Sequence, residues 1–273
     1  MNETEPINPT DHHFPESLTP ELTPEPSAER AAERIETWYS HLEPRLAKYL
    51  TDPNVVLTLA DARGQTESYI TEPHPEDEAA FEKLNELTAP DGIRFEVIPS
   101  TSQTTKNPAL MLNIESLKGY EYVTHQTKLP GIPKFDAAQG WDRIQPWQKE
   151  ALAGVNSAAE RGEYPPEIQI DDTAKHTVIG VMKGYPDLAI TSMIKDRAQY
   201  TGEPRNRRFT QVPYSDYYPG PQPNYGYDPK DEAEILPHVN AWGKLLEDYY
   251  TSPTHTKLEQ DPDFIQAHRA NEK

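Results

Sequence analysis

The sequence predicts an α+β fold, in which a small, mostly antiparallel sheet with helices is followed by a helical half that contains a tight αα-hairpin. Two segments, 93–97 and 110–115, alternate apolar and polar residues with the period of a half-exposed strand. Elsewhere apolar residues recur at helical spacing, as at Ile35, Trp38 and Leu42. Glycine and proline punctuate the later segments, which is typical of short helices joined by turns.

Composition divides the 273-residue chain into segments. Residues 1–26 hold six prolines and six acidic residues without a lysine or arginine, which predicts a disordered acidic tail. Beyond it the patterns predict four further segments: an α/β-sheet half at 27–125, an irregular connection at 126–145, a helical half at 146–250 with a Tyr/Pro-rich loop at 213–229, and a C-terminal tail with a short helix at 251–273.

The first half begins with a helix. Ser27 is a suitable N-cap, and Pro44 is expected to kink or split this helix because proline lacks the N–H that the helix needs. The apolar run 55–59 is rich in β-branched residues and is interpreted as a buried strand. An acidic first turn after Pro75 opens a second helix, whose buried stripe is expected to contain Ala80, Phe81, Leu84 and Leu87.

The two alternating segments predict neighbouring antiparallel strands, with the polar stretch 100–108 as their connection. Lys118 and Gly119 are interpreted as a turn, after which residues 120–124 are expected to add one more strand. Scarce aliphatic residues are supplemented by rings in this chain, so we expect Trp38, Trp147 and Trp242 to be buried.

The second half is interpreted as a series of helices. One begins near Pro146 and ends at Arg161-Gly162, and the last long one begins at Asp228-Pro229 and is expected to be divided at Pro237. Between them, Asp171 or Asp172 is expected to cap a helix that ends at Gly184.

Charge and composition exclude several classes of protein. The chain has 45 acidic against 26 basic residues, a net charge of −19 and no cysteine. An acidic chain repels phosphate backbones, so broad nucleic-acid binding is disfavoured. Without cysteine there is no disulfide, no thiolate-bound zinc and no thiol nucleophile. Neither a membrane-spanning segment nor a secretory signal is seen, so we predict a cytoplasmic protein with no membrane association. We also predict that the protein has no cofactor.

The most specific local pattern joins two short helices through glycine. It runs from Ile179-Gly180 through Gly184-Tyr185-Pro186 to Ile190 and Met193, with the spacing of a helix-turn-helix. A DNA-binding regulator is one interpretation of it. The other, which we favour, is a structural αα-hairpin, because Asp187 at the start of the second helix would repel phosphates.

The run Gly-Tyr-Pro-Asp-x-Ala-Ile at 184–190 is followed by Ala241-Trp242 and then Ser252-Pro253. In these residues the chain resembles a group of uncharacterised proteins predicted from candidate-phyla bacterial genomes, over about 175–255. The resemblance implies that residues 175–250 form one helical unit, and it implies no activity.

A metal-like set of side chains occurs around one helix start. Asp172 and His176 are four residues apart and could share a helix face with Asp171 nearby, while His125 and His238 are available from elsewhere. A metal-dependent hydrolase is therefore an alternative function. The simpler interpretation is that an aspartate caps the helix and His176 lies at the surface.

Three arginines next to the Tyr/Pro-rich loop form the basic cluster of the acidic C-terminal quarter. Arginines beside aromatic residues suit phosphate, nucleotide or acidic-peptide recognition, so we predict a binding surface there. Its residues are Arg205, Arg207, Arg208, Tyr214 and Tyr217. The arginines could instead pair with the chain's own surplus acids.

The common catalytic motifs are missing from the sequence: it has no nucleophile elbow, phosphate loop, dinucleotide fingerprint or zinc-protease motif. The leading hypothesis is therefore a non-enzymatic interaction protein with an unknown protein partner. The metal-dependent enzyme and the helix-turn-helix regulator remain the alternatives.

Overall fold

The computed structural model describes residues 25–70, 73–101, 108–164, 170–198 and 228–269. Within these ranges helices dominate and surround a small sheet, which confirms the predicted α+β class. The strands are β1 (Gln65–Ile70), β2 (Ile93–Thr101) and β3 (Pro108–Ser116). The helices are α1 (Ala28–Tyr39), α2 (Pro44–Ala47), α3 (Pro53–Leu59), α4 (Asp77–Thr88), α5 (Leu117–Gln126), α6 (Ile144–Glu160), α7 (Ile170–Met182), α8 (Asp187–Ala198), α9 (Glu232–Tyr250), α10 (Pro253–Gln260) and α11 (Pro262–Arg269).

The sheet has the order β1-β3-β2, and both pairs are antiparallel. Ile114 of β3 lies opposite Thr66 on one side and Phe95 on the other. Alternation along the strands therefore gives one face that is buried, with Phe95 and Ile114, and one face that carries polar residues such as Glu67 and Glu115. The two predicted strands are confirmed, and β1 is an addition that sequence reasoning missed.

The outer edge of β2 is covered by side chains of α4 and its end. The Asn85 amide accepts from the Phe95 N–H and donates to the Phe95 carbonyl, both at 2.7 Å. The Thr88 hydroxyl donates to the Ile93 carbonyl at 3.0 Å, and Pro99 has no N–H to offer. The strand edge is thus closed to further pairing at these positions.

The first hydrophobic cluster fills the space between the apolar face of the sheet and the helices. Trp38 of α1 is 1% exposed and meets Phe95 edge-on at 6.2 Å between ring centroids. Residues from α9, near the end of the chain, complete the cluster, among them Val239 and Leu246. Helix α9 packs against α1 and α3, so distant parts of the chain share this core.

A second cluster lies around α5, α6 and α7. Tyr120, Phe135 and Trp147 form a ring triad with centroid distances of 5.8 to 6.1 Å. A Cβ on Gly154 of α6 would lie 2.1 Å from the Gly131 carbonyl oxygen, so only glycine allows the connecting segment to approach α6 this closely. Trp147 and Trp242 are 1% and 3% exposed, so the predicted burial of Trp38, Trp147 and Trp242 is confirmed.

Asp61, between α3 and β1, is a fully buried carboxylate with a left-handed backbone (φ 63°). One carboxylate oxygen pairs with Arg30 at 2.7 Å and the other with Arg34 at 2.9 Å. The same side chain accepts a hydrogen bond from the hydroxyl of Ser116, the N-cap of α5. Asp61 therefore ties α1 to the start of α5.

The prediction of a strand at residues 55–59 is wrong, because these residues form α3. The Asp52 carboxylate accepts from the Asn54 N–H and Pro53 occupies the first turn, and together they start a helix. Every residue of the run 55–59 is buried, so apolar periodicity cannot distinguish a helix from a strand there.

The prediction of a turn at Lys118-Gly119 and a strand at residues 120–124 is also wrong, because all of them belong to α5. Ser116 caps this helix by accepting from the Gly119 N–H at 2.9 Å. Gly119 does not form a turn. It allows α5 to pack closely against the backbone of Arg63, since a Cβ there would lie 1.9 Å from the Arg63 carbonyl oxygen.

Two prolines act differently in the structure. Pro44 separates α1 from α2, as predicted. Pro237 does not divide α9, which runs without a break from Glu232 to Tyr250 with this exposed proline inside it. Leu87, predicted to be buried on α4, is 39% exposed, whereas Phe81 and Leu84 are buried as expected.

Candidate ligand-binding cleft

A cleft of about 380 Å³ lies between α5, the turn that joins α7 to α8, and α9. Its volume falls within the range of small-molecule sites, which is about 300–1,000 Å³. Three aromatic side chains line it, Tyr122, Tyr185 and Trp242, together with aliphatic residues such as Leu188 and Leu245. The cleft is the strongest candidate for a functional site among the described residues because it combines concavity with rings and a few polar groups.

Helix α9 supplies one wall of the cleft through its own periodicity. One stripe enters the first hydrophobic cluster and contains Ile235, Val239, Leu246 and Tyr249. The neighbouring stripe faces the cleft and contains Glu234, His238, Ala241 and Leu245, at spacings of three and four residues. Trp242 belongs to both the cluster and the cleft lining. The position of this wall is therefore fixed by the core.

The opposite wall is the last turn of α5, and Asp187 holds it in place. One Asp187 carboxylate oxygen accepts from the Thr127 hydroxyl at 2.6 Å, and the other accepts from the Lys128 N–H at 2.7 Å. Asp187 is the first residue of α8, so these bonds join the end of α5 to the start of α8. The carboxylate thus has a structural task.

The floor is the αα-hairpin of α7 and α8, which confirms the hairpin predicted from the glycine pattern. Gly184 has φ 68°, in the left-handed region, and a Cβ there would lie 2.9 Å from the Ala62 carbonyl oxygen. A Cβ on Gly180 would lie 2.7 Å from Cγ1 of Ile190, so a small residue lets the helices meet. The turn places Tyr185 in the cleft.

Arg63 lies behind the rings of the floor and wall. Its side chain is 2% exposed, and its Cζ atom is 5.6 Å from the Tyr185 ring centroid and 5.3 Å from that of Trp242. Its N–H groups donate to the Lys183 carbonyl and to the Asn54 side-chain oxygen, both at 2.7 Å. Burial lowers the pKa of the Arg63 guanidinium. The side chain stays charged because arginine starts from so high a value.

His238 faces the cleft from α9 and packs on Trp242, with 4.5 Å between ring centroids. Burial lowers the pKa of His238 to about 4, and the positive charge of Arg63 adds to the lowering. A hydrogen bond with the backbone of Gly184 opposes both effects. The imidazole is therefore neutral near pH 7, where it extends the ring-lined wall.

The binding surface predicted at Arg205, Arg207, Arg208, Tyr214 and Tyr217 lies outside the described residues and stays a prediction. Of the predicted metal set, His176 is half-buried on α7. Asp171 and Asp172 follow Ile170 in α7, so the helix includes them, and their side chains are not described. The described side chains include no cluster of three metal-binding residues, which leaves the Asp172 and His176 prediction untested.

Sequence reasoning missed the cleft itself. Tyr185 was part of the glycine motif and Trp242 was expected to be buried, yet nothing in the sequence brings them together. The stripe at 234, 238, 241 and 245 was available as a signal, because it runs beside the core stripe at helical spacing. Arg63 carries no local signal, since its partners come from α3 and the α7–α8 turn.

Comparison with known proteins gives no match: no family model, no curated protein and no solved structure is similar to the chain. In the described ranges, no helix combines the length and the apolar character that crossing a bilayer requires.

Proposed function

We propose that this chain is a non-enzymatic binding protein whose cleft receives an aromatic group. The observation that carries the proposal is the cleft of about 380 Å³ whose walls and floor bring together Tyr122, Tyr185 and Trp242. Tyr122 and Tyr185 are only half-buried, so their rings are accessible to a ligand. Aromatic rings attract other rings through offset-stacked and edge-on contacts.

The polar groups of the cleft favour binding over catalysis. Both carboxylate oxygens of Asp187 accept hydrogen bonds that hold the wall. His238 is packed against a ring, and its pKa of about 4 makes it a poor proton donor near pH 7. These groups thus support a rigid receptor.

The hairpin geometry also favours this proposal over a DNA-binding regulator. A recognition helix presents its N-terminal residues to base edges. Here the corresponding end of α8 lines the cleft through Leu188 and is bonded to Thr127 and Lys128 through Asp187. This end of α8 is engaged within the protein.

The test fills the cleft with a bulky side chain. Ala241 is exposed and lines the cleft, so Ala241→Trp should occupy it while leaving the core intact. Ala233→Trp is the matched control, since Ala233 is exposed on the same helix away from the cleft. Titration calorimetry with indole-3-acetamide should show binding to the wild type and to Ala233→Trp, and at least tenfold weaker binding to Ala241→Trp. Equal binding by the two variants, or no binding to the wild type at millimolar ligand, would overturn the proposal.

A further inference from the structure

We propose that the cleft selects aromatic groups that carry a negative charge, such as an aryl carboxylate, and rejects aromatic cations. This inference rests on the proposed function of the cleft and names the chemical class of its ligand. Two positive charges carry it, one behind the cleft at Arg63 and one at its mouth at Lys128.

Among the described residues, the buried charge of Arg63 has no direct counter-charge. Of the carboxylates that the structure describes, none forms an ion pair with Arg63. Its hydrogen-bond partners are the carbonyl of Lys183, the side-chain amide of Asn54 and the side chain of Tyr185, and none of them is a carboxylate. Buried charges are usually paired. Because no described carboxylate pairs with this guanidinium, it leaves a net positive field in its surroundings.

The nearest acidic side chains have other partners. Asp52 accepts from the Asn54 N–H at 2.9 Å as the N-cap of α3, and Glu67 pairs with Lys183 at 3.4 Å. They act on Arg63 only as more distant charges. The field of the guanidinium therefore extends toward the cleft, in the direction of the rings of Tyr185 and Trp242.

A ring face attracts a cation through its quadrupole. Arg63 already occupies that position beside Tyr185 and Trp242, and it does not itself line the cleft. A ligand stacked on the accessible side of Tyr185 would lie roughly 9 Å from the guanidinium, given ordinary stacking distances. At an effective dielectric constant of about 20, a unit charge there changes affinity by on the order of tenfold, against cations and in favour of anions.

Lys128 provides the second positive charge. It lines the cleft two residues after the end of α5 and is exposed, while its backbone N–H donates a hydrogen bond to Asp187. Its ammonium group forms no ion pair with a described carboxylate. A carboxylate attached to a ring in the cleft could reach the mouth and meet this side chain.

Three features act in the opposite direction. The Asp187 carboxylate lines the cleft and is half-buried, although its two oxygens accept hydrogen bonds from the Thr127 hydroxyl and the Lys128 N–H. Glu234 is exposed at the rim on α9, and the whole chain carries a net charge of −19. Salt at 0.15 M screens exposed charges over about 8 Å, while buried charges are screened much less. Because hydrogen bonds from Thr127 and Lys128 already stabilise the Asp187 carboxylate, we expect Arg63 and Lys128 together to set the selection at physiological ionic strength.

The experiment compares three indoles of similar shape on the wild-type protein in 0.15 M salt, by titration calorimetry. They are indole-3-acetate, the neutral indole-3-acetamide and the cation tryptamine. We expect the dissociation constants to increase in that order, with a total range of at least tenfold. If the acetamide binds and the acetate binds no more tightly, or tryptamine binds as tightly as the acetate, the charge selection is overturned while the aromatic site stands. If none of the three binds, the proposed function fails as well.

Lys128→Gln tests the mouth of the cleft without changing its core. The variant should lower the preference for acetate over acetamide by about threefold or more. Lys118→Gln is the matched control, because Lys118 is an exposed residue near the start of α5, the helix that precedes Lys128, and it does not line the cleft. An equal loss in both variants would assign the effect to overall charge and overturn the role of Lys128.

A peptide that ends in a free tryptophan carboxylate then separates two sources of the aromatic carboxylate. Tighter binding of the peptide than of indole-3-acetate indicates a chain terminus, and weaker binding indicates a free small molecule.

Discussion

At the scale of single residues, Asp61 shows how much one buried carboxylate can organise. It pairs with Arg30 and Arg34 and accepts from Ser116, so three segments meet at one side chain. Asp61→Asn keeps a residue that tolerates the left-handed backbone but removes the counter-charge of the buried Arg34. We expect the free energy of unfolding to fall by about 3 kcal/mol in urea denaturation, as for other broken buried ion pairs.

The control for Asp61→Asn is Glu163→Gln, which removes an exposed carboxylate that pairs with Arg161 at 2.6 Å. Exposed ion pairs contribute about 0–1 kcal/mol, so this variant should stay close to the wild type. If the two substitutions lowered the free energy of unfolding equally, the buried ion pairs of Asp61 would contribute no more to stability than an exposed pair.

His238 makes the stability depend on pH. Its pKa is about 4 in the folded protein against 6.5 for an unperturbed histidine, so between these pH values the unfolded chain binds more protons. Stability therefore rises with pH over this window, is fully present above pH 6.5 and is lost as the pH falls toward 4. The shift corresponds to about 3 kcal/mol. Urea denaturation of His238→Gln between pH 7 and 4 should show a correspondingly smaller loss than the wild type.

Carboxylates also contribute to acid unfolding, so the informative quantity is the difference between variants. His74 is half-exposed beside Glu76 and provides the control. His74→Gln should keep the slope of the wild type. A His238→Gln protein with the same slope as His74→Gln would rule out His238 as the source.

At the scale of secondary-structure elements, the edge of β2 depends on one side chain of α4. Asn85→Ala leaves both backbone groups of the buried Phe95 without their 2.7 Å partners. Unsatisfied buried groups cost about 1–3 kcal/mol each, so for two groups we expect at least about 2 kcal/mol less stability in urea denaturation. Glu86→Ala, on the exposed side of the same helix, should change it by less than about 0.5 kcal/mol. A loss in Asn85→Ala no larger than that in Glu86→Ala would contradict the role of the amide.

The elements differ in how far their residues determine them. The alternation at 93–97 and 110–115 predicts β2 and β3, and the glycine spacing predicts the α7–α8 hairpin, because local periodicity and turn chemistry dominate there. The run 55–59 is buried on all sides and became a helix through Asp52 and Pro53, outside the run. Strand β1 has no apolar alternation, and its pairing with β3 comes from tertiary contact. The cleft required the same long-range information, since Arg63, Tyr185 and Trp242 are far apart in the chain.

At the scale of the whole molecule, the two hydrophobic clusters are connected. Tyr185 packs against both, and α9 brings the end of the chain into the core of its beginning. We therefore expect the most protected amides of α1 and α6 to exchange through the same global opening. Native-state hydrogen exchange at increasing urea should show Ile35 and Val155 converging on one free energy of opening. Separate plateaus that persist up to the unfolding transition would instead divide the chain into independently unfolding parts.

Helix α9 contributes both to the hydrophobic core and to one wall of the cleft. Ligand binding in the cleft should therefore raise the thermal stability of the protein. A molecule that binds only the native state raises the free energy of unfolding by about 2.7 kcal/mol at a concentration one hundred times its dissociation constant. The wall cannot separate from the core without exposing Val239 and Leu246. Ligand binding should therefore stabilise all of the described residues against unfolding, and not the cleft alone. A calorimetric or dye-based melting screen of compound libraries can thus search for the natural ligand without any assay of activity.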